Sequence, residues 1–586
     1  MKLIEALRIA AENRPQNPAE TVSIALVCGF TPLHLQTFLT AELRKAFPSR
    51  HVEVATGQYD DIAGSLLELR NRRCDGAVLV LEWPDLDPRL GTRQLGGWSP
   101  RSLPDIVGRV QMWLSELRAL LETVSKLSPV VVSLPTLSLP PIFFSAGWQA
   151  GMHEMQLREA VCKFAAELAP SSRIRLISEQ RLSLSSPPAA RLDVRSNWLA
   201  GFPYHIEHAS ALSELMAQAL QNAQPKKGII TDLDNTLWSG IVGEDGAHNV
   251  WWDLDHRAQG HGVYQQFLSA LANEGVLVGV ASKNDPGVVA EAFTRHDILL
   301  PPDQVFPLEV SWGSKAVAVS RLLRAWNVHA DSVVFIDDDA LELAEVKAAH
   351  PAMECLRFPA HDPQGIYELL LRLRDFFGKS AISHEDEIRR ESLRGNALAV
   401  ASNGQGDHFS EAVLESANGE LIFDFAKDTN DLRTLELINK TNQFNLNGRR
   451  FTEGKWADYL SQQDAFLLTS TYKDKFGMLG KIAVLAGRIN GEQEVCVDAW
   501  VLSCRAFGRR IEYHCLRRLF ERFGAHRIRF AYEATDRNKP MTRCFAELLD
   551  KAPMPDVVLT AATFDARCPR LFHRVIDTEG KGIPNG

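Results

Sequence analysis

The sequence predicts a multidomain α/β protein, and three observations carry that reading. Short apolar runs alternate with stretches of helical period across residues 1–222. The same alternation begins again at residue 223 and runs to about 378. The last third changes character, with strand-type runs following one another more closely. Alternating strands and helices build a parallel sheet covered on both faces, whereas strands in succession build a more antiparallel α+β arrangement. At about 100–200 residues per domain, the chain has room for three or four such units.

In the first region, 1–222, the strand candidates are SIALVCGF, HVEVATG, DGAVLVLEW, PVVVSLP and RIRLIS. Between them, LHLQTFLTAELRKAF and VGRVQMWLSELRALLETV carry apolar residues at helical spacing. In the second region, 223–378, the strands are GIITDL, VLVGVAS and SVVFID, with helices at GVYQQFLSALANEG and KAVAVSRLLRAW. Residues 379–408 read as a helical linker: ISHEDEIRRESLRGN is a charged helix with Ser383 and Asp386 as a capping pattern, and ASNGQGDH follows. The third region, 409–575, offers strands at ELIFDF, AFLLTSTY, KIAVLAG, EVCVDAWVL and RIRFAYE, and helices at DLRTLELINK and RRIEYHCLRRLFERFG. The polar tail, 576–586, reads as disordered.

Composition narrows the function classes. A net charge of −9 argues against a general nucleic-acid binder. Nine scattered cysteines without a C-x-x-C predict reduced thiols rather than disulfides or a zinc site. The first twenty residues hold no apolar signal core, and the longest apolar stretch is broken by prolines. A soluble, cytoplasmic protein without membrane contact is the expectation.

The chemistry concentrates in the second region. Ligands of an open parallel sheet bind beyond the carboxyl ends of its strands. There the first strand ends at Asp232, two residues before Asp234; the second ends at Ser282, followed by Lys283 and Asn284; the third ends at Asp337, Asp338 and Asp339. Lys315 opens a helix between the last two. Carboxylates gathered in one place repel unless a cation sits among them. Hard oxygen ligands suit Mg2+, which also accepts substrate phosphate. Lys315 and Ser282 suit phosphate oxygens, one aspartate a nucleophile, and the other a general acid and base. The competing reading of D-x-D is a strand-closing turn and helix cap, and a lysine opening a helix is usually solvated.

The order D-x-D-x-T, then Ser, Lys and Asp-Asp resembles the haloacid-dehalogenase phosphatase superfamily. That resemblance implies Asp232 as nucleophile and Asp234 as acid/base, with Asn235 and Thr236 completing the loop. It assigns phosphate to Ser282, Lys283, Asn284 and Lys315, and Mg2+ to Asp232, the Asp234 backbone carbonyl, Asp337 and Asp338. More narrowly, DLDNTLWSGIVGEDG with ASKND and FIDDD resembles the FkbH-like family, as do INKTNQFNLNGRRFT, DKFGMLGKIAV, WVLSCRAFGRRIE and YEATDRNK. This resemblance implies a flavodoxin- or SGNH-like first domain, a Rossmann-like phosphatase domain without a large cap, and a GNAT-like third domain. It also implies a function: the glyceryl unit of 1,3-bisphosphoglycerate is loaded onto an acyl carrier protein thiol, and the 3-phosphate is removed. Asp339, Ala340 and Leu343 depart from the family's usual Asn, Pro and Arg at those positions.

In the third region RAFGRR resembles the phosphate-holding loop of GNAT acyltransferases, which assigns Arg505 and Arg509 to a phosphopantetheine phosphate. Cys504, directly before that loop, is a candidate acyl carrier; a small core cysteine is the competing reading. Residues 501–550 hold eleven Lys or Arg against six Asp or Glu, a candidate docking surface for an acidic carrier protein. Asn442, Gln443 and Asn445 are candidates for contacting glyceryl hydroxyls, or for turn formation. In the first region VCGFTP offers no G-D-S nucleophile, and His205 and His208 have no obvious serine partner, so a non-hydrolytic domain is expected, with Cys28 and Thr31 at its strand end. Two alternatives stand beside the leading reading: a stand-alone Mg2+-dependent phosphatase of a small metabolite, and a non-catalytic scaffold.

Overall fold

The computed structural model of the protein describes residues 1–12, 21–71, 74–143, 145–221, 225–379, 411–429, 431–475, 477–491, 493–503, 506–535, 538–553 and 555–577. The charged helix expected over 382–396 lies outside them. The chain divides into two compact units, Met1–Ala223 with Phe451–Tyr459, and Gln224–Arg450 with Leu460–Gly586.

The first unit is built on β1 (Thr21–Cys28), β2 (His51–Thr56), β3 (Gly76–Val80), β4 (Val130–Ser133) and β5 (Ile174–Leu176). They form one parallel sheet in the order β2-β1-β3-β4-β5. Leu79, Leu117 and Leu157 pack one face, and Leu26, Phe38 and Leu212 the other. This double burial explains why the strands read as continuous apolar runs. Residues 451–459, expected in the third domain, belong here instead. Thr452 Oγ1 donates to Asp75 Oδ1 at 2.9 Å, and Glu453 pairs with Arg175.

At the carboxyl ends of β1, β3 and β4 sits a buried polar network. Glu82 accepts from Thr136 Oγ1 at 2.6 Å and Tyr204 Oη at 2.8 Å, and Thr136 Oγ1 lies 3.0 Å from His208 Nε2. His208 does have a serine partner, Ser186 Oγ at 2.9 Å from Nδ1, which the sequence did not reveal because Ser186 comes from a distant turn. All five side chains belong to buried residues, so the network has no exposed nucleophile. Burial pulls the His208 pKa down to about 3 and pushes the Cys28 thiol up to about 12.

In the second unit, β6 (Gly228–Thr231), β7 (Leu277–Ser282), β8 (Val305–Val310), β9 (Val333–Asp337) and β10 (Glu354–Arg357) form a second parallel sheet in the order β10-β9-β6-β7-β8. The central strands are buried along their length, whereas β8 and β10 at the edges are mostly half-buried. An edge strand needs no unbroken apolar run, which is why VFPLEV and ECLR escaped the sequence reading.

The third sheet is mixed. It comprises β11 (Glu420–Asp424), β12 (Phe444–Asn445), β13 (Ala465–Asp474), β14 (Gly477–Asn490), β15 (Glu494–Leu502), β16 (Arg527–Phe530), β17 (Val557–Thr560) and β18 (Arg574–Asp577). The order is β17-β16-β15-β14-β13-β11-β18, with β12 beside β15. β13, β14 and β15 run antiparallel, while β15 and β16 are parallel. Ile576 and Asp577, expected in a disordered tail, pair in register with Ile422 and Phe423. Among the described residues no helix is long and apolar enough to cross a membrane.

Candidate active site

The carboxyl ends of β6, β7 and β9 meet on one edge of the second sheet. Asp232 follows β6, and its backbone N–H donates to Ile336 O at 2.9 Å, which binds the turn to the end of β9. Lys315, the first residue of the helix Lys315–Trp326, reaches in between two carboxylates. Its Nζ lies 3.0 Å from Asp232 Oδ1 and 2.6 Å from Asp337 Oδ2. All three residues are buried, with Lys315 only 5% exposed. Asp338 is half-buried, and Thr236 Oγ1 lies 3.5 Å from its Oδ1.

The electrostatics follow from this crowding. Burial, and then the charge of Asp232, push Asp337 up to about 7. Burial also raises Asp232 and Asp338 above the ordinary carboxylate range. Burial works against the Lys315 charge, but Asp232 and Asp337 outweigh it and hold the lysine above its usual value. One ammonium stands among three carboxyl groups, so ionisation of all three leaves net negative charge.

A divalent cation fits that excess. Asp232, Asp337 and Asp338 each offer an oxygen, and these oxygens lie within 4.8 Å of one another. Asp232 Oδ1 is buried and makes no hydrogen bond beyond its ion pair with Lys315. An all-carboxylate donor set suits Mg2+. Asp339 does not join the cluster. It is exposed, and its Oδ1 accepts from the Leu341 N–H at 2.7 Å, capping the helix Ala340–Ala349. Asp339 thereby serves a helix end and stands apart from the acidic cluster.

Asp234 is held differently. Its Oδ1 accepts from Trp238 Nε1 at 2.9 Å and from the Val242 N–H at 3.0 Å, and its Oδ2 from Asn284 Nδ2 at 2.9 Å. Three donors fix both oxygens. Asn284 Nδ2 also lies 3.1 Å from Ser282 Oγ, tying Asp234 to the end of β7. Asn235 takes a left-handed conformation, φ 52°, and its Oδ1 accepts from the Gly240 N–H at 3.2 Å. That turn lets the chain fold back so that Trp238 and Val242 face Asp234. The sequence pointed to the aspartates but not to Trp238 or Val242; the only signal was a tryptophan four residues after Asp234.

Lys283 stands at the rim, its Nζ 2.6 Å from Glu342 Oε1. The structure therefore gathers Asp232, Asp234, Thr236, Ser282, Asn284, Lys315, Asp337 and Asp338 at one sheet edge, with Asn235 shaping the loop.

Cys504 and Arg505 lie outside the described residues. Arg509 is buried, with Nε 3.3 Å from Asp474 Oδ2, and so is committed to the interior rather than offered to a phosphate at the surface. Of the expected basic docking surface, Arg510 pairs with Glu411 at 3.0 Å, Arg518 pairs with Glu521 at 3.0 Å, and Arg522 stacks 5.2 Å over Phe425.

No protein-family model and no curated protein matches the chain. Among solved structures, the chain is similar to the N-terminal part of protein BF1531 from Bacteroides fragilis, containing a phosphatase domain complexed with Mg. The identity is 19% and the TM-score 0.52, over 65% of this chain and 100% of that one. This likeness shows a shared fold. A second match, the salicylyl-acyltransferase SsfX3 from a tetracycline biosynthetic pathway, reaches a TM-score of 0.20 at 12% identity, over 34% of this chain and 54% of that one, too low for a shared fold.

Proposed function

We propose that the protein loads the glyceryl unit of 1,3-bisphosphoglycerate onto the phosphopantetheine thiol of an acyl carrier protein and removes its 3-phosphate. The observation that carries the phosphatase half is the buried Asp232–Lys315–Asp337 group, with Asp234 locked beside it by three donors. The transfer half rests on the sequence resemblance of residues 438–512 to the FkbH-like family.

In the hydrolytic half, Asp232 attacks phosphorus as the P–O bond to the glyceryl oxygen breaks. Asp234 gives that oxygen its proton, and then takes one from the water that releases the phosphate from Asp232. Lys315 neutralises charge on the transferred group, while the Ser282 hydroxyl and Asn284 amide bound the space it occupies. Asp232, Asp337 and Asp338, with the Asp234 backbone carbonyl, would hold Mg2+, which when bound stabilises the charge building on phosphate oxygens. In the transfer half, a thiol sulfur bonds to the acyl carbon as the acyl C–O bond breaks. Inorganic phosphate leaves, and the thiol proton goes to solvent. Cys504 is the proposed first acceptor, with Arg505 assigned to phosphate by the resemblance; the carrier thiol then takes the acyl group as the bond to Cys504 sulfur breaks, and its proton restores the Cys504 thiol.

Intact-mass spectrometry of a carrier protein after incubation with 1,3-bisphosphoglycerate, Mg2+ and the full chain tests the proposal. It predicts a glyceryl mass shift. No shift, with phosphate released from small esters, would replace it with a stand-alone phosphatase; neither product would leave a scaffold.

A further inference from the structure

An open parallel sheet binds ligands beyond the carboxyl ends of its strands, where neighbouring strands send their chains in opposite directions. In the first sheet, ordered β2-β1-β3-β4-β5, that point lies between β1 and β3. Hydrogen bonds knit the loops together there. The Thr31 N–H, after β1, donates to Gly201 O at 3.1 Å, and the Asp60 N–H, after β2, donates to Gly29 O at 3.2 Å. Arg93, from the loop after β3, donates from Nη1 to Tyr59 Oη at 2.6 Å. Trp198, on the helix Val194–Ala200, donates from Nε1 to Thr92 Oγ1 at 3.0 Å.

Gly201 closes that helix in left-handed backbone, φ 72°. A Cβ on it would lie 2.6 Å from Arg93 Nη1 and 3.0 Å from Thr31 Oγ1. A residue without a side chain is what lets the guanidinium and the hydroxyl share that spot. Leu33, two residues after Thr31, has φ 27°. Positive φ in a bulky residue is strained backbone, of the kind that clusters at ligand sites. The donors there are not used up within the protein. Arg93 is exposed and pairs with no carboxylate among the described residues. Its Nε and Nη2, and the Thr31 hydroxyl, make no hydrogen bond among them either.

We infer that this edge of the first sheet binds a small apolar monocarboxylate, with its carboxylate on Arg93 and Thr31 and its carbon skeleton against Trp198. The Nε and Nη2 edge of a guanidinium is a fork that matches a planar carboxylate. Asp60 brings negative charge to the same edge, which favours a singly charged ligand over a phosphate dianion. Asp85, the other carboxyl group near Asp60, is pushed up to about 8, chiefly by burial, so it is protonated at neutral pH and does not oppose the ligand. The Trp198 ring is 59% exposed and Leu33 42% exposed, an apolar wall beside the free donors.

Equilibrium dialysis of the full chain against phenylacetate tests the inference. Phenylacetate binds saturably, whereas phenylethanol, which keeps the ring and lacks the charge, does not, and phenyl phosphate binds more weakly than phenylacetate. Arg93→Gln weakens phenylacetate binding roughly tenfold or more, as for loss of a charge-assisted hydrogen-bonded pair. Thr31→Val, which keeps the side-chain shape, and Trp198→Ala weaken it as well. Arg93 is exposed, so Arg93→Gln keeps the melting temperature of the unaltered chain. Absence of saturable phenylacetate binding overturns the inference, as does equal binding of phenylethanol or unchanged binding in Arg93→Gln. Tighter binding of phenyl phosphate overturns the assignment to a carboxylate.

Discussion

At the residue scale the site depends on which groups are buried together. Lys315 alone reads as a solvated helix residue, yet it bridges Asp232 and Asp337 in the interior. Among the described residues, its Nζ is the cation that pairs with both carboxylates. Lys315→Ala leaves them facing each other unpaired, and phosphate release from small esters should fall by roughly 100-fold or more, as for loss of a preorganised charge stabiliser. Trp238 acts through Asp234 and not on substrate. Trp238→Phe keeps an aromatic core residue but removes the N–H to Asp234 Oδ1, and should lower kcat by about tenfold with KM little changed, as for loss of a supporting hydrogen bond. An equal fall in Trp238→Phe and in a variant that merely loosens the core would assign Trp238 to packing alone. The aspartates, Ser282 and Lys315 were legible because strand and helix ends are marked in sequence. Trp238, Val242 and the Lys283–Glu342 pair were not, because each depends on how a loop closes.

At the element scale, sequence reading did best where a strand is buried on both faces. The central strands of both parallel sheets stand out as apolar runs, while edge strands β8 and β10 and the short β17 and β18 do not. Helix ends were legible only in part. Asp339 reads as a fourth member of the acidic cluster, but its geometry is that of an N-cap. Asp339→Ala should cost about 1 kcal/mol of stability, read by thermal unfolding, and leave phosphate release intact.

The buried network at the end of β3 gives a pH dependence. Burial pushes Glu82 up to about 7 and, with the charges of Glu82 and Asp60, pushes Asp85 up to about 8. A carboxyl whose folded pKa is raised favours the folded state while protonated. That contribution is complete below the ordinary carboxylate range and is lost as pH rises through about 7 to 8. The melting temperature of the first unit should fall between pH 5 and pH 8, by an amount reflecting up to about 3 kcal/mol for Glu82 and about 4 kcal/mol for Asp85. Glu82→Gln with Asp85→Asn should flatten the profile; an unchanged slope would place its origin elsewhere.

At the scale of the whole molecule, the carboxyl edge of the second sheet gathers Asp232, Lys315, Asp337 and Asp338, the groups that the proposed function assigns to hydrolysis. Chelation of divalent cations should abolish phosphate release, and Mg2+ should restore it, because Asp232, Asp337 and Asp338 otherwise crowd without sufficient countercharge. The packing of residues 451–459 into the first unit was not legible, since Glu453 and its partner Arg175 lie 278 positions apart in sequence. The central claim is that Asp232 finishes a reaction begun elsewhere in the chain. Intact mass of the carrier protein after incubation with 1,3-bisphosphoglycerate and Asp232→Asn tests it most directly. The account predicts a carrier bearing phosphoglyceryl where the unaltered protein leaves glyceryl; a carrier left unloaded by Asp232→Asn, while the unaltered protein loads it, would contradict the account.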